Sequence, residues 1–171
     1  MLIEYGVHRD DNKKFLITSV GGHWDQAALK SGCEDLRSEN VVGTMLESHI
    51  SSDDTRMWIE TMILSSVLTK KALNKTYRCD TPNLCRTFRL MIDPQNNRDA
   101  ILRHELIHQE KMNANIVISS AINLNYYVFR CSLCNFLLLK GKWIDPFEIT
   151  DDSEFKVFYR ICPKCKEGGV M

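Results

Sequence analysis

Two cysteine pairs near the end of the chain, Cys131-Ser-Leu-Cys134 and Cys162-Pro-Lys-Cys165, carry the clearest chemical signal in the sequence. Each C-x-x-C spacing places two thiolates on one tight turn. Two such turns brought together supply the four soft ligands of a tetrahedral zinc ion, with zinc to sulfur bonds of about 2.3 Å. One pair alone would fit a redox couple, and four cysteines would also fit two disulfides or buried thiols; two pairs in the last quarter of a short chain point to metal. A set of four thiolates leaves no coordination position for water or substrate, so the expected zinc, one per chain, is structural.

A second motif, His104-Glu-Leu-Ile-His108, matches H-E-x-x-H, in which two histidines one helical turn apart bind zinc and the glutamate acts as general base. That chemistry requires a helix. On a strand His104 and His108 would share a face but stand roughly 13 Å apart with Leu106 between them, too far to hold one ion. The segment follows a strand-like run and the turn signal Pro94-Gln-Asn-Asn97, so it reads as the return strand of a meander. A zinc metallopeptidase using His104, Glu105 and His108, with Glu148 or Glu154 as third ligand, is therefore the rival reading and not the favoured one.

The elements that must position these residues follow from hydrophobic pattern and turn chemistry. Residues 1 to 14 end in the polar run HRDDNKK and read as a surface lead-in. Phe15 to Val20 reads as a strand closed by Gly21-Gly22, and Asp25 is expected as the N-cap of a short helix ending at Gly32. The strongest helix starts at Ser51-Ser-Asp-Asp54, where a serine hydroxyl can accept from the free amides. Ile59, Ile63 and Val67 recur every four residues along it. Thr76 to Asp80, Cys85 to Asp93 and Ala100 to Gln109 form strand-like runs, with Phe88, Leu90 and Ile92 on one face of the second. NANIVISSAINL, residues 113 to 124, has no clean period. Phe136 to Lys140 and Phe155 to Ile161 read as strands between the cysteine turns, with no helix expected after Cys165. The fold class is α+β.

With Lys plus Arg at 22 and Asp plus Glu at 22, the chain has no net charge and no broad grip for nucleic acid or an anionic membrane. The lysines of the cysteine segment are largely cancelled by Asp145, Glu148, Asp151, Asp152 and Glu154. No run approaches the ~18 apolar residues of a membrane span. Seven cysteines, with Cys33, Cys79 and Cys85 left as free thiols, fit a reducing compartment, so the expected location is cytoplasmic.

Several of these residues together carry a resemblance. The Phe15 to Val20 strand, His23-Trp24-Asp25, Val42-Gly43, the His49-Ile50-Ser-Ser-Asp-Asp helix entry, Tyr77-Arg-Cys-Asp80-x-Pro82 and Phe88-Arg-Leu-Met-Ile-Asp-Pro94 resemble a bacterial PAS-like sensory domain over roughly residues 13 to 112. Cys131-x-x-Cys134, Gly141-Lys-Trp143 and Ile161-Cys-Pro-Lys-Cys165 are similar to a companion module in bacterial signalling proteins. The resemblance implies a five-stranded antiparallel sheet with helices on one face, often enclosing a small-molecule pocket, followed by a zinc-ribbon-like module. It also places His23 and Trp24 near the pocket mouth, with Cys79 as a further contact candidate, although no cofactor carries over residue by residue.

The expected organisation is a lead-in over 1–14, a PAS-like domain over 15–112, a linker over 113–125 and a zinc module over 126–171. The expected function is a non-catalytic signalling protein that senses a ligand or partner. Its output would pass through a protein partner or self-association as a dimer, because no nucleophile with a base and no phosphate-cradling loop is present. A zinc-ribbon transcription regulator is the third reading.

Overall fold

A computed structural model describes residues 1–50, 52–121 and 127–167. Among these, ten strands form two five-stranded sheets, and the class is mixed α+β. The chain divides into two compact units. Unit 1 comprises Met1–Ser51, Arg56–Lys75 and Arg89–Glu105, and unit 2 comprises Ser52–Thr55, Thr76–Phe88 and Leu106–Met171.

The first sheet contains β1 (Leu2–Arg9), β2 (Phe15–Gly22), β3 (Leu73–Arg78), β4 (Leu84–Pro94) and β5 (Asp99–Lys111), in the order β2-β1-β5-β4-β3. Strand β1 runs antiparallel to both β2 and β5. Residues 1 to 14, expected as a lead-in, therefore hold a strand flanked on both sides, with Tyr5 and Val7 buried. Gly22 ends β2 at φ 65, where a Cβ would lie 2.5 Å from the Leu2 carbonyl oxygen, so the chain can turn there only with glycine. Between β2 and β3 come the helices α1 (Trp24–Lys30), α2 (Ser38–Val41) and α3 (Asp53–Thr69).

Asp25 does not cap α1. His23 occupies the cap position, and the Asp25 carboxylate instead accepts from the Ser38 amide at 2.7 Å and the Ser38 hydroxyl at 2.8 Å. Helix α3 follows its periodicity: Ile59, Ile63 and Val67 are buried with Ser66. The Ser66 hydroxyl is satisfied by the Lys71 and Ile92 carbonyls. Together with Val7, Ile17, Val41, Leu90, Ile92, Ala100 and Leu102, these residues form the core of unit 1. On β4 the expected alternation holds, with Phe88, Leu90 and Ile92 buried and Arg89 exposed.

Unit 2 holds the second sheet: β6 (Ile116–Ser120), β7 (Val128–Cys131), β8 (Leu137–Leu139), β9 (Lys142–Ile144) and β10 (Ser153–Arg160), ordered β6-β10-β7-β8-β9. The segment expected as a linker over 113–125 thus contains β6, which pairs with β10; residues 122–126 lie outside the described residues. Strand β10 runs parallel to both β6 and β7, whereas β7-β8 and β8-β9 are antiparallel. The β8-β9 turn is Lys140-Gly141, both at positive φ (48 and 79), the backbone twist that a two-residue hairpin prefers. Cys85, Met112, Ala114 and Ile116 form a buried cluster in this unit, with Phe147, Ile149 and Phe155 packed on it.

Candidate metal centre

The parallel pairing of β7 and β10 assembles the cysteines. Cys131 ends β7 and Cys162 follows β10, and the register sets Arg160 opposite Cys131, so both C-x-x-C turns leave the sheet at the same end. An antiparallel pairing would have sent them to opposite ends. The first turn closes through Asn135 N to Cys131 O at 3.0 Å and Cys131 N to Phe136 O at 2.8 Å. Asn135, the residue after the second cysteine, adopts φ 63, a conformation that asparagine tolerates better than most side chains. The second turn becomes the short helix α4 (Pro163–Lys166). Pro163 occupies its first position, where the missing amide costs nothing, and Lys166 N donates to Cys162 O.

The four sulfur atoms lie within 4.8 Å of one another, and the Cys134 and Cys162 sulfurs are 3.8 Å apart. Sulfurs about 2.3 Å from a tetrahedral ion sit about 3.8 Å apart, so the cluster fits a metal ion with little further closure. Cys131, Cys162 and Cys165 are buried and Cys134 is half-buried. The donor set is also hydrogen-bonded. The Cys162 amide donates to the Cys131 sulfur at 3.4 Å, and a hydrogen bond from the Cys134 thiol, with the amides of Cys134, Cys162 and Leu133, holds the Cys131 thiol down to about 4. Sharing that proton pushes Cys134 up, and burial pushes Cys165 up to about 12. Cys131 thus forms a thiolate readily while Cys134 and Cys165 hold their protons. A divalent cation is the species that would displace them and bind all four sulfurs. No coordination position would remain for a substrate, so the arrangement organises the polypeptide and does not by itself catalyse.

The turn before α3 is bonded to both cysteine turns within unit 2. Ser52 Oγ donates to Tyr159 O, and it accepts from Thr55 N at 3.3 Å as the expected serine cap. Thr55 Oγ1 donates to Ser132 Oγ, inside the first C-x-x-C, and the Ile161 amide donates to the Asp54 carboxylate at 3.2 Å.

Beside the cysteines lies a cavity of about 390 Å³, lined chiefly by Tyr77, Leu133, Phe136, Trp143 and Pro163 together with the cysteine turns. Arg78 reaches its edge. This guanidinium is 11% exposed and bonds both oxygens of Asp145, at 2.6 and 2.7 Å, and both oxygens of Asp80, at 3.3 and 2.7 Å. The sequence pointed to a pocket in the first domain and did not identify this one. The available signal was Gly141-Lys-Trp143, whose tight turn sets Trp143 opposite Leu138 on the neighbouring strand.

The other candidates have structural partners. In unit 1, His23 Nδ1 donates to the Leu2 carbonyl at 3.1 Å, Trp24 Nε1 donates to the Leu36 carbonyl at 2.7 Å, and the Trp24 ring meets Tyr5 edge-on at 5.7 Å. Cys79 belongs to unit 2, where it is exposed beside Arg86. His104, Glu105 and His108 lie on strand β5. His104 stacks on Tyr5 at 5.5 Å, and burial pushes it down to about 4. Glu105 pairs with Arg89, and His108 pairs with Glu110 at 3.3 Å. Among the described residues, the four cysteines are the group placed to share one ion.

Compared with protein families, with curated proteins and with solved structures, the chain has no match.

Proposed function

We propose that this chain is a non-catalytic sensory or interaction protein, in which a structural zinc ion on Cys131, Cys134, Cys162 and Cys165 holds unit 2 in the form that presents the adjoining apolar pocket to a small molecule or a partner side chain. The observation that carries this reading is the coincidence of a closed four-sulfur set with a 390 Å³ aromatic-lined cavity that shares Cys134, Cys162 and Cys165 as wall residues. Pockets of this size, mostly apolar with a few polar groups at the rim, are the usual form of a ligand site. Zinc is favoured by four thiolates in a tetrahedral cluster, which suit it and disfavour harder cations.

The PAS-like component of the reading is supported by the five-stranded first sheet, with helices inserted between its second and third strands. The zinc-ribbon-like component rests on the two cysteine turns alone, since the second sheet is mixed rather than a pair of antiparallel hairpins. The non-catalytic assignment is supported by the strand conformation of the H-E-x-x-H segment. Cytoplasmic residence is supported by seven unpaired thiols. Among the described residues, no helix is long and apolar enough to cross a membrane.

The test uses the metal-loaded full chain and 8-anilinonaphthalene-1-sulfonate as the probe, an aromatic anion that fluoresces when it leaves water. One probe per chain should bind, and Trp143→Ala in the metal-loaded protein should abolish binding. Binding that survives this substitution would place the probe elsewhere and remove the support for this site. Sedimentation at two concentrations, with and without the probe, reads whether occupancy changes self-association.

A further inference from the structure

A second cavity in unit 2, of about 140 Å³, shares no lining residue with the one beside the cysteines. Its wall includes Arg130, on the middle strand of the second sheet and only 7% exposed. Arg130 Nε is buried with no hydrogen-bond partner among the described residues. Arg78 offers the contrast, being held by two carboxylates. Asp80 also lines the second cavity, but its Oδ1 accepts from Arg78 Nε and the Arg86 amide and its Oδ2 accepts from Arg78 Nη2. A guanidinium removed from water without an anion on its fork is costly, so a site that keeps one has a use for it.

The rest of the wall describes the anion. Thr81 and Tyr159 are further polar residues of the lining, while Met112, Ile116 and Ile118 are apolar. We propose that this cavity binds a short-chain monocarboxylate, its carboxylate on the Arg130 guanidinium and its alkyl group against Met112, Ile116 and Ile118. The planar fork of arginine matches the two oxygens of a carboxylate. A phosphate, a sulfate or a second carboxylate would leave charged oxygens against the apolar wall, which is unfavourable. A water molecule occupies about 30 Å³ of liquid, so the cavity holds about five water volumes, the size of an acid of about two to four carbons. This site is independent of the pocket beside the cysteines, and neither assignment depends on the other.

Isothermal titration of the metal-loaded full chain with sodium propionate and sodium butyrate tests the proposal. Saturable binding with a Kd of about 1 mM or tighter is expected, with hexanoate and inorganic phosphate much weaker. Arg130→Gln should weaken butyrate binding by about tenfold or more, the scale of a hydrogen bond to a charged group. Without ligand, the same variant should melt no lower than the parent, since it removes a buried charge whose Nε has no partner among the described residues. Ile118→Trp, which fills the apolar end while leaving the guanidinium in place, should also abolish butyrate binding, and it decides the matter if Arg130→Gln does not fold. Absence of saturation by any short acid, equal binding of phosphate and butyrate, or butyrate binding retained in folded Ile118→Trp would each overturn the assignment.

Discussion

Arg78→Met tests whether the buried ionic cluster of unit 2 is a structural element or a decoration. The guanidinium, 11% exposed, is held by Asp80 and Asp145, whose side chains are 4% and 22% exposed. Methionine keeps most of the aliphatic volume and retains the backbone bond from Arg78 N to Leu133 O at 2.6 Å. It leaves two carboxylates without their cation. Breaking a buried pair by removing one partner costs about 3–5 kcal/mol. The lower part of that range applies here, because Asp80 still accepts from the Arg86 amide and Asp145 from the Phe147 amide. An expected loss of about 3 kcal/mol corresponds to a drop of about 1–2 M in the urea midpoint at an ordinary denaturant slope. The transition is followed by fluorescence in protein retaining Trp143 as its only tryptophan, so that the signal reports unit 2. Adding Asp145→Asn to Arg78→Met should recover about 1–2 kcal/mol by removing one orphaned charge, a coupling that a double-mutant cycle isolates. A loss below about 1 kcal/mol, the scale of an exposed ion pair, would refute the reasoning.

Three further outcomes are expected. Burial lowers the His104 pKa from its ordinary 6.5 to about 4, so below pH 6.5 the unfolded chain takes up a proton that the folded one does not; this group then costs stability progressively from pH 6.5 down to 4, at most about 3 kcal/mol, and contributes nothing above that window. His104→Phe should flatten this limb of the stability profile, and an unchanged acid limb would contradict it. His104→Ala with His108→Ala should leave the metal content unchanged, since both lie on β5; loss of a metal ion from that variant would revive the metallopeptidase reading. With a thiol-specific reagent, the exposed Cys33 and Cys79 should react fast, while Cys85, buried and raised to about 11, and the four clustered cysteines react slowly until a chelator adds those four to the fast phase; fast reaction of the cluster before chelation would contradict it.

What could be read from the sequence was what local pattern encodes. The faces of α3 and β4 follow from spacings of four and two, and the C-x-x-C pairs announce themselves because ligand type and turn length are local properties. The strand character of β5 followed from its position after a turn. What escaped was non-local. Strand β1 was obscured by the polar run after it and by Gly6, which separates the buried Tyr5 and Val7 and is buried itself, so no polar-apolar alternation marks the strand. Strand β6 shows no clean period because its environment is set by its parallel partner β10, more than thirty residues further on. The parallel pairing of β7 with β10 brings the cysteine turns together, and no local signal specifies it either. Asp25 was misassigned because a carboxylate at a helix start serves equally well as an acceptor for a distant amide, here that of Ser38.

The most direct test of the account is the metal content and coordination of the purified full chain, by elemental analysis together with X-ray absorption at the metal edge. The cluster of four sulfurs within 4.8 Å predicts one zinc per chain, with four sulfur scatterers at about 2.3 Å and no nitrogen or oxygen in the shell. Cys162→Ser with Cys165→Ser should lose the metal and the ordered form of unit 2. Metal-free protein that keeps unit 2 folded, or a shell containing histidine nitrogen, would contradict it.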